Sequence, residues 1–218
     1  MAKKALGTGV LTAIIVGAIV VYVALYLTAA PGSTAVVRTS SGEHLYLATV
    51  PAAELTDPHP TWVSYYAVSP QSTDWRHVTT FVMPANTLIH VTIFEYDSQT
   101  GLRNPFIGEV AGTVGDQMLL NGKPTKAVNP NTASHVFAIP NIGLNVPLPG
   151  PGASAKNPCA NAPCSLKNAH DEIQFSFRTP AKGLYRWQCF VPCAAGYIQG
   201  LGGPMQTVGY MDGFIKVV

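Results

Sequence analysis

The chain has 218 residues, enough for one full-sized core and an appendage. Hydrophobic residues make up 47% and charged ones only 11%, low for a surface wholly in water. A net charge of +2, with no basic stripe interleaved with aromatics, speaks against a nucleic-acid partner.

Residues 5–30 form a run of 26 without a charge. As a helix it would reach about 39 Å at ~1.5 Å per residue, more than the ~30 Å hydrocarbon core of a bilayer. A cleavable secretory signal has an apolar core of only ~7–15 residues, so a retained anchor is favoured over cleavage near Ala29-Ala30-Pro31. Lys3 and Lys4 precede the run and no basic cluster follows it closely. That bias puts the N-terminus in the cytoplasm and the rest outside, as a single-pass protein of the cell membrane. The expected organisation is a cytoplasmic tip and transmembrane anchor over 1–30, then an extracytoplasmic domain over 31–218.

Beyond the hinge at Pro31-Gly32-Ser33-Thr34, residues 44–50 and 62–68 have the aromatic and β-branched content of strands, separated by proline-bearing turns. Residues 77–83 and 87–95 follow, hinged on Pro84-Ala85-Asn86. In the second of these, Ile89, Val91 and Ile93 share a face that should be buried, which leaves His90 near solvent. Residues 101–130 suggest short strands between loops. The run Asn145-Val146-Pro147-Leu148-Pro149-Gly150-Pro151-Gly152, and on to Leu166, is expected to lack regular structure, because proline removes a donor and fixes φ. Order should return at 172–178, where Ile173, Phe175 and Phe177 alternate with polar residues. Strands are expected again at 184–190, with Tyr185, Trp187 and Cys189 on one face, and at 213–218. Many short strands, 18 prolines, 20 glycines and no convincing helix after the anchor predict an all-β sandwich.

The four cysteines come as two tight pairs, and an exported domain permits their oxidation. Cys159 and Cys164, in a Pro/Asn/Ala-rich loop with no histidine nearby, are expected to be disulfide-bonded to each other. Cys189 and Cys193 flank Phe190-Val191-Pro192 just after an aromatic strand, and Met211 precedes the last strand. Thiolate and thioether prefer soft metals, which points to copper, and Ser134-His135-Val136-Phe137 offers an imidazole. His135 could also be a hydrogen-bonded structural histidine, Met211 a core residue, and Cys189 and Cys193 a second disulfide.

This order of strand, CxxxC, methionine and strand, with a distant Ser-His-x-Phe, resembles the cupredoxin family. Within that family it resembles the copper-A domain of cytochrome oxidase subunit II. The likeness covers roughly residues 81–218 and includes Gln188 before the first cysteine and the Met-x-Gly-x-Ile pattern from Met211. It implies a cupredoxin-like Greek-key β-sandwich with copper held by His135, Cys189, Cys193 and Met211. One ligand histidine is missing: Tyr197 stands four past Cys193, Val208 stands three before Met211, and the loop carries a Gly-rich insert at 200–204. The spacing gives no warrant for His77 or His170 as its replacement. With Met205 added, the set is soft enough to hold Cu(I) at least as readily as Cu(II). The implied role is electron transfer or copper handling in a respiratory-type membrane complex, with other subunits of that complex as partners. The alternative is a copper-free structural or docking subunit with its cysteines in disulfides. No nucleophilic elbow, H-E-x-x-H or phosphate loop is present, so catalysis by this chain alone is not expected.

Overall fold

The computed structural model describes residues 2–22, 33–39, 42–99, 101, 104–193 and 203–218. Contacts divide the chain into two compact units, Met1–Pro31 and Gly32–Val218. In the first, α1 runs over Ala2–Tyr22. Leu11, Ile14, Ile15, Val16, Ile19 and Val20 are all exposed on it, so its described part is apolar all round. Among the described residues no helix is long and apolar enough to cross a membrane. The expected single transmembrane helix is thus not shown, and the helix as described has 21 residues. Its first turn holds Lys3 and Lys4, and the uncharged remainder over 5–22 rises about 27 Å. Residues 23–32, which carry the rest of the expected span and the start of the hinge, lie outside the described residues.

The second unit is all-β. In chain order its strands are β1 (Ser33–Ala35), β2 (Val37–Thr39), β3 (Gly42–Val50), β4 (Ser64–Val68), β5 (Trp75–Arg76), β6 (Thr80–Met83) and β7 (Leu88–Glu95). They continue as β8 (Met118–Leu120), β9 (Lys123–Thr125), β10 (Ala133–Ile139), β11 (Leu144–Pro149), β12 (Asp171–Arg178), β13 (Gly183–Gln188) and β14 (Asp212–Val217). Only short 3-10 turns interrupt them among the described residues. One sheet has the order β1-β6-β14-β13-β10-β11, the other β5-β4-β3-β7-β12-β8-β9, with β2 attached to β3. The chain changes sheet between β1 and β2, β5 and β6, β6 and β7, β9 and β10, and on either side of β12, and the pairs β1/β6, β6/β14 and β3/β7 are parallel. The two sheets pack as an all-β sandwich around one shared core cluster.

The predicted phase of β7 and β12 holds. Ile89, Val91, Ile93, Ile173, Phe175 and Phe177 point into the core, where they meet Phe137, Trp187 and Ile215 of the other sheet. His90 lies on the opposite, half-buried face. Trp187 is anchored by its indole N–H, which donates to the Thr79 carbonyl at 2.9 Å. Gly213 makes this approach possible, since a Cβ there would stand 1.9 Å from that carbonyl oxygen and 2.7 Å from Trp187 Nε1.

One expectation fails. The proline-rich run is not irregular throughout: β11 occupies Leu144–Pro149, wholly buried and paired along β10. Proline is tolerated because β11 is the edge strand of its sheet, where a missing donor breaks no second ladder. Irregular structure begins after Pro149. Cys159 and Cys164 are disulfide-bonded there, as expected, and their loop covers Val50, Tyr66, Phe94 and Tyr96 on the outer face of the larger sheet.

Candidate metal centre

Cys189 leaves the end of β13 and Met211 enters β14, and the two are tied by the Cys189 N–H donating to the Met211 carbonyl at 3.0 Å. β10 lies on the other side of β13 and carries His135. Strand order therefore delivers three sequence-distant residues to one end of the smaller sheet. Cys189 and Cys193 are free thiols, both buried, with their sulfurs 3.0 Å apart. His135 Nδ1 lies 3.0 Å from Cys193 Sγ and 3.8 Å from Cys189 Sγ. All three ligand atoms fall within 4.8 Å of one another, the one such group of three or more among the described residues. Met211 is fully buried in the same core cluster, and Met205 packs against it half-buried.

The imidazole is held from behind. His135 Nε2 is 3.0 Å from Asp97 Oδ2, which leaves Nδ1 to face the sulfurs. Metal-ligating histidines are commonly oriented in this way by a carboxylate on the far nitrogen. Asp97 is fixed in turn, as its carbonyl accepts from Ser134 Oγ at 3.0 Å. Its N–H donates to Glu95 Oε1 at 2.8 Å. Gly150 passes so close that a Cβ on it would stand 1.9 Å from the Asp97 carbonyl oxygen.

The protons at this site are unevenly shared. Burial raises the Cys189 thiol, but hydrogen bonds from Cys193 and His135, the charge of His135 and the Val136 N–H outweigh it and bring it down to about 5. The Val136 N–H donates to Cys189 Sγ at 3.4 Å. Cys193 is pushed up, by burial first and then by its neighbour Cys189. It keeps its proton, and its Sγ also lies 2.9 Å from the Val191 carbonyl oxygen. Burial disfavours a charged His135, yet Glu95, Asp97 and Cys189 together carry its value well above the ordinary one. These directions favour moving a proton from Cys189 toward His135, and a metal ion would drive off the protons that remain.

Two carboxylates, Glu95 and Asp97, escaped the sequence reading. Their signal is faint, an acidic pair at the end of an apolar strand. The position expected of a second imidazole holds Val208, which has no donor atom in its side chain, and Tyr197 lies outside the described residues. His77 is elsewhere, with Nδ1 2.8 Å from Asp57 Oδ2, and His170 packs beside Phe94 and Tyr96 on the outer face. The donor set on hand is therefore one imidazole nitrogen and two thiols, with Met211 buried in the same core cluster. It fits a soft ion such as copper, particularly Cu(I), better than a hard one.

No protein-family model matches the chain, and no curated protein matches it. Among solved structures it is similar to the copper protein rusticyanin, with 15% identity and a TM-score of 0.35, over 85% of this chain and 82% of that one. For reduced rusticyanin the identity is 16% and the TM-score 0.35, over 85% and 84%. A heme-copper terminal oxidase dimer solved by cryo-EM contributes a chain with 12% identity and a TM-score of 0.31, over 99% of this chain and 98% of that one. Likenesses at these scores say what the chain is similar to and carry no inference about its ligand or partners.

Proposed function

We propose that the protein is a cupredoxin-like copper-binding domain that handles copper or passes electrons outside a membrane, tethered there by its N-terminal segment. The observation that carries the reading is the buried trio of His135, Cys189 and Cys193, with both thiols free and the imidazole turned toward them by Asp97. Met211 serves as the weak sulfur ligand. A bound copper ion supplies a one-electron couple, and the protein contributes a dry, soft, pre-oriented cage. The tether draws on the uncharged run over 5–30 and on the apolar side chains exposed around α1. The partners are other subunits of a respiratory-type membrane complex.

The test is copper titration of anaerobically purified, reduced protein. One equivalent of Cu(I) should bind with loss of both free thiols, and Cys189→Ser should abolish binding. Without a second imidazole, the mixed-valence purple spectrum of a complete copper-A centre should be absent. Failure to bind copper, with Cys189 and Cys193 disulfide-bonded in the native membrane, would leave the copper-free docking subunit as the reading. One observation favours that second reading, the side chain of Val208 where a nitrogen ligand is wanted.

A further inference from the structure

The outer face of the larger sheet carries a second group of histidines that the buried trio does not use. His44 on β3 and His90 on β7 are partners in the parallel register, so their rings stand side by side with centroids 5.9 Å apart and planes tilted by 33°. Each ring is fixed by a hydroxyl from a neighbouring strand. His44 Nε2 is 3.0 Å from Thr92 Oγ1, and His90 Nδ1 is 2.8 Å from Ser176 Oγ. Tyr46 stacks on His44 at 4.0 Å, with only 8° between the planes, and fixes that ring further. In the tautomer in which each engaged nitrogen donates to its hydroxyl, the other nitrogen, Nδ1 of His44 and Nε2 of His90, carries the lone pair.

The two rings border a cavity of about 360 Å³ that also takes Gln117 and Gln174 into its wall. We infer that His44 and His90 form a separate site for a borderline divalent transition-metal ion (copper(II), nickel(II) or zinc(II)), with water in the remaining positions. The donor chemistry separates the two sites. Two imidazoles and oxygen suit the oxidised or borderline ion, whereas the buried thiols suit the soft one. The hydroxyls of Thr92 and Ser176 play the part that a carboxylate or carbonyl commonly plays behind a metal-bound histidine. Burial and the neighbouring His90 both lower the pKa of His44, which keeps its imidazole neutral and able to coordinate.

The test is nickel(II) titration of the full chain carrying Cys189→Ser and Cys193→Ser, followed by calorimetry and by NMR of the histidine rings. One ion should bind, and substoichiometric nickel should broaden the His44 and His90 signals before those of His59, His77 and His170. His44→Gln or His90→Gln should abolish that event, and Ser176→Ala should weaken it about tenfold or more. Should the double cysteine variant not fold, the native chain serves, since loading of the buried trio is followed separately at His135. No binding, broadening that starts at His59 or His170, or an unchanged affinity in His44→Gln would overturn the inference.

Discussion

Glu95 is fully buried with its Oε1 satisfied by the Asp97 N–H, while Oε2 has no hydrogen-bond partner. Burial first, and the charge of Asp97 after it, raise its carboxyl from the ordinary 4.5 to about 8, against the opposing pull of His135. Between those values the folded chain holds a proton that the unfolded chain releases. The stabilisation is therefore complete below pH 4.5 and is lost by up to ~1.4 kcal/mol per pH unit as pH rises toward 8. Denaturant midpoints of the metal-free protein should fall from pH 5 to pH 8, and Glu95→Gln should flatten that slope. An equally steep slope in the variant would show that another group controls it. At Asp97 the prediction concerns binding. Asp97→Asn keeps the shape but removes the charge behind His135, and should weaken copper binding by ~10–100-fold in a competition titration. Neither carboxylate could be read as part of the site from sequence, since the turn that brings Asp97 under His135 depends on Ser134 and Gly150, far away in the chain.

Among the elements, alternation of apolar and polar residues made β7, β12 and β13 legible, because each has one face on the core and one turned away. β11 was not legible, for the physical reason that a buried edge strand tolerates the very prolines that would break a central one. Its end also matters to the site, since Gly150 follows Pro149 directly. Gly150→Ala would set a methyl group against the Asp97 carbonyl and 2.1 Å from Ser134 Oγ. Overpacking of this kind should cost ~1–3 kcal/mol. Thermal melts of the metal-free variant should show that loss, and its copper affinity should fall with it as Asp97 shifts. A variant destabilised without any change in affinity would mean that Asp97 does not steer His135.

For the whole molecule, copper should act as a brace across the smaller sheet, since its proposed ligands come from β10 and from both sides of the β13–β14 connection. Free ion at a hundred times the dissociation constant stabilises the folded state by ~2.7 kcal/mol. For a domain of this size that corresponds to roughly 2–4 °C per kcal/mol in the melting temperature. Reduced protein should therefore melt several degrees higher with Cu(I) than without, and the Cys189→Ser variant should show no shift. The tether is tested on its own. Protease added to spheroplasts should remove the β-domain and leave a small fragment in the membrane, whereas release of the intact domain with a mature end near Pro31 would dispose of the anchor. The sandwich and the spacing of the sulfur residues were visible in the sequence because strand alternation and residue spacing are local signals. The proton-sharing beneath the site was not, because burial is a property of the folded whole.

The hydrogen bond from Cys189 to the Met211 carbonyl has a consequence for how such a chain can diverge. It pins both ends of the 189–211 connection to adjacent strands, so the ligands at its base are insulated from the length of what lies between. Doubling the length of a flexible loop costs only ~0.6 kcal/mol in closure entropy. Lineages are then free to lengthen or decorate this connection, reshaping what the protein meets at its rim, without disturbing the sulfur atoms. Inserting four Gly/Ser residues after Gln199 should accordingly leave copper stoichiometry at one and move the melting point by no more than a few degrees.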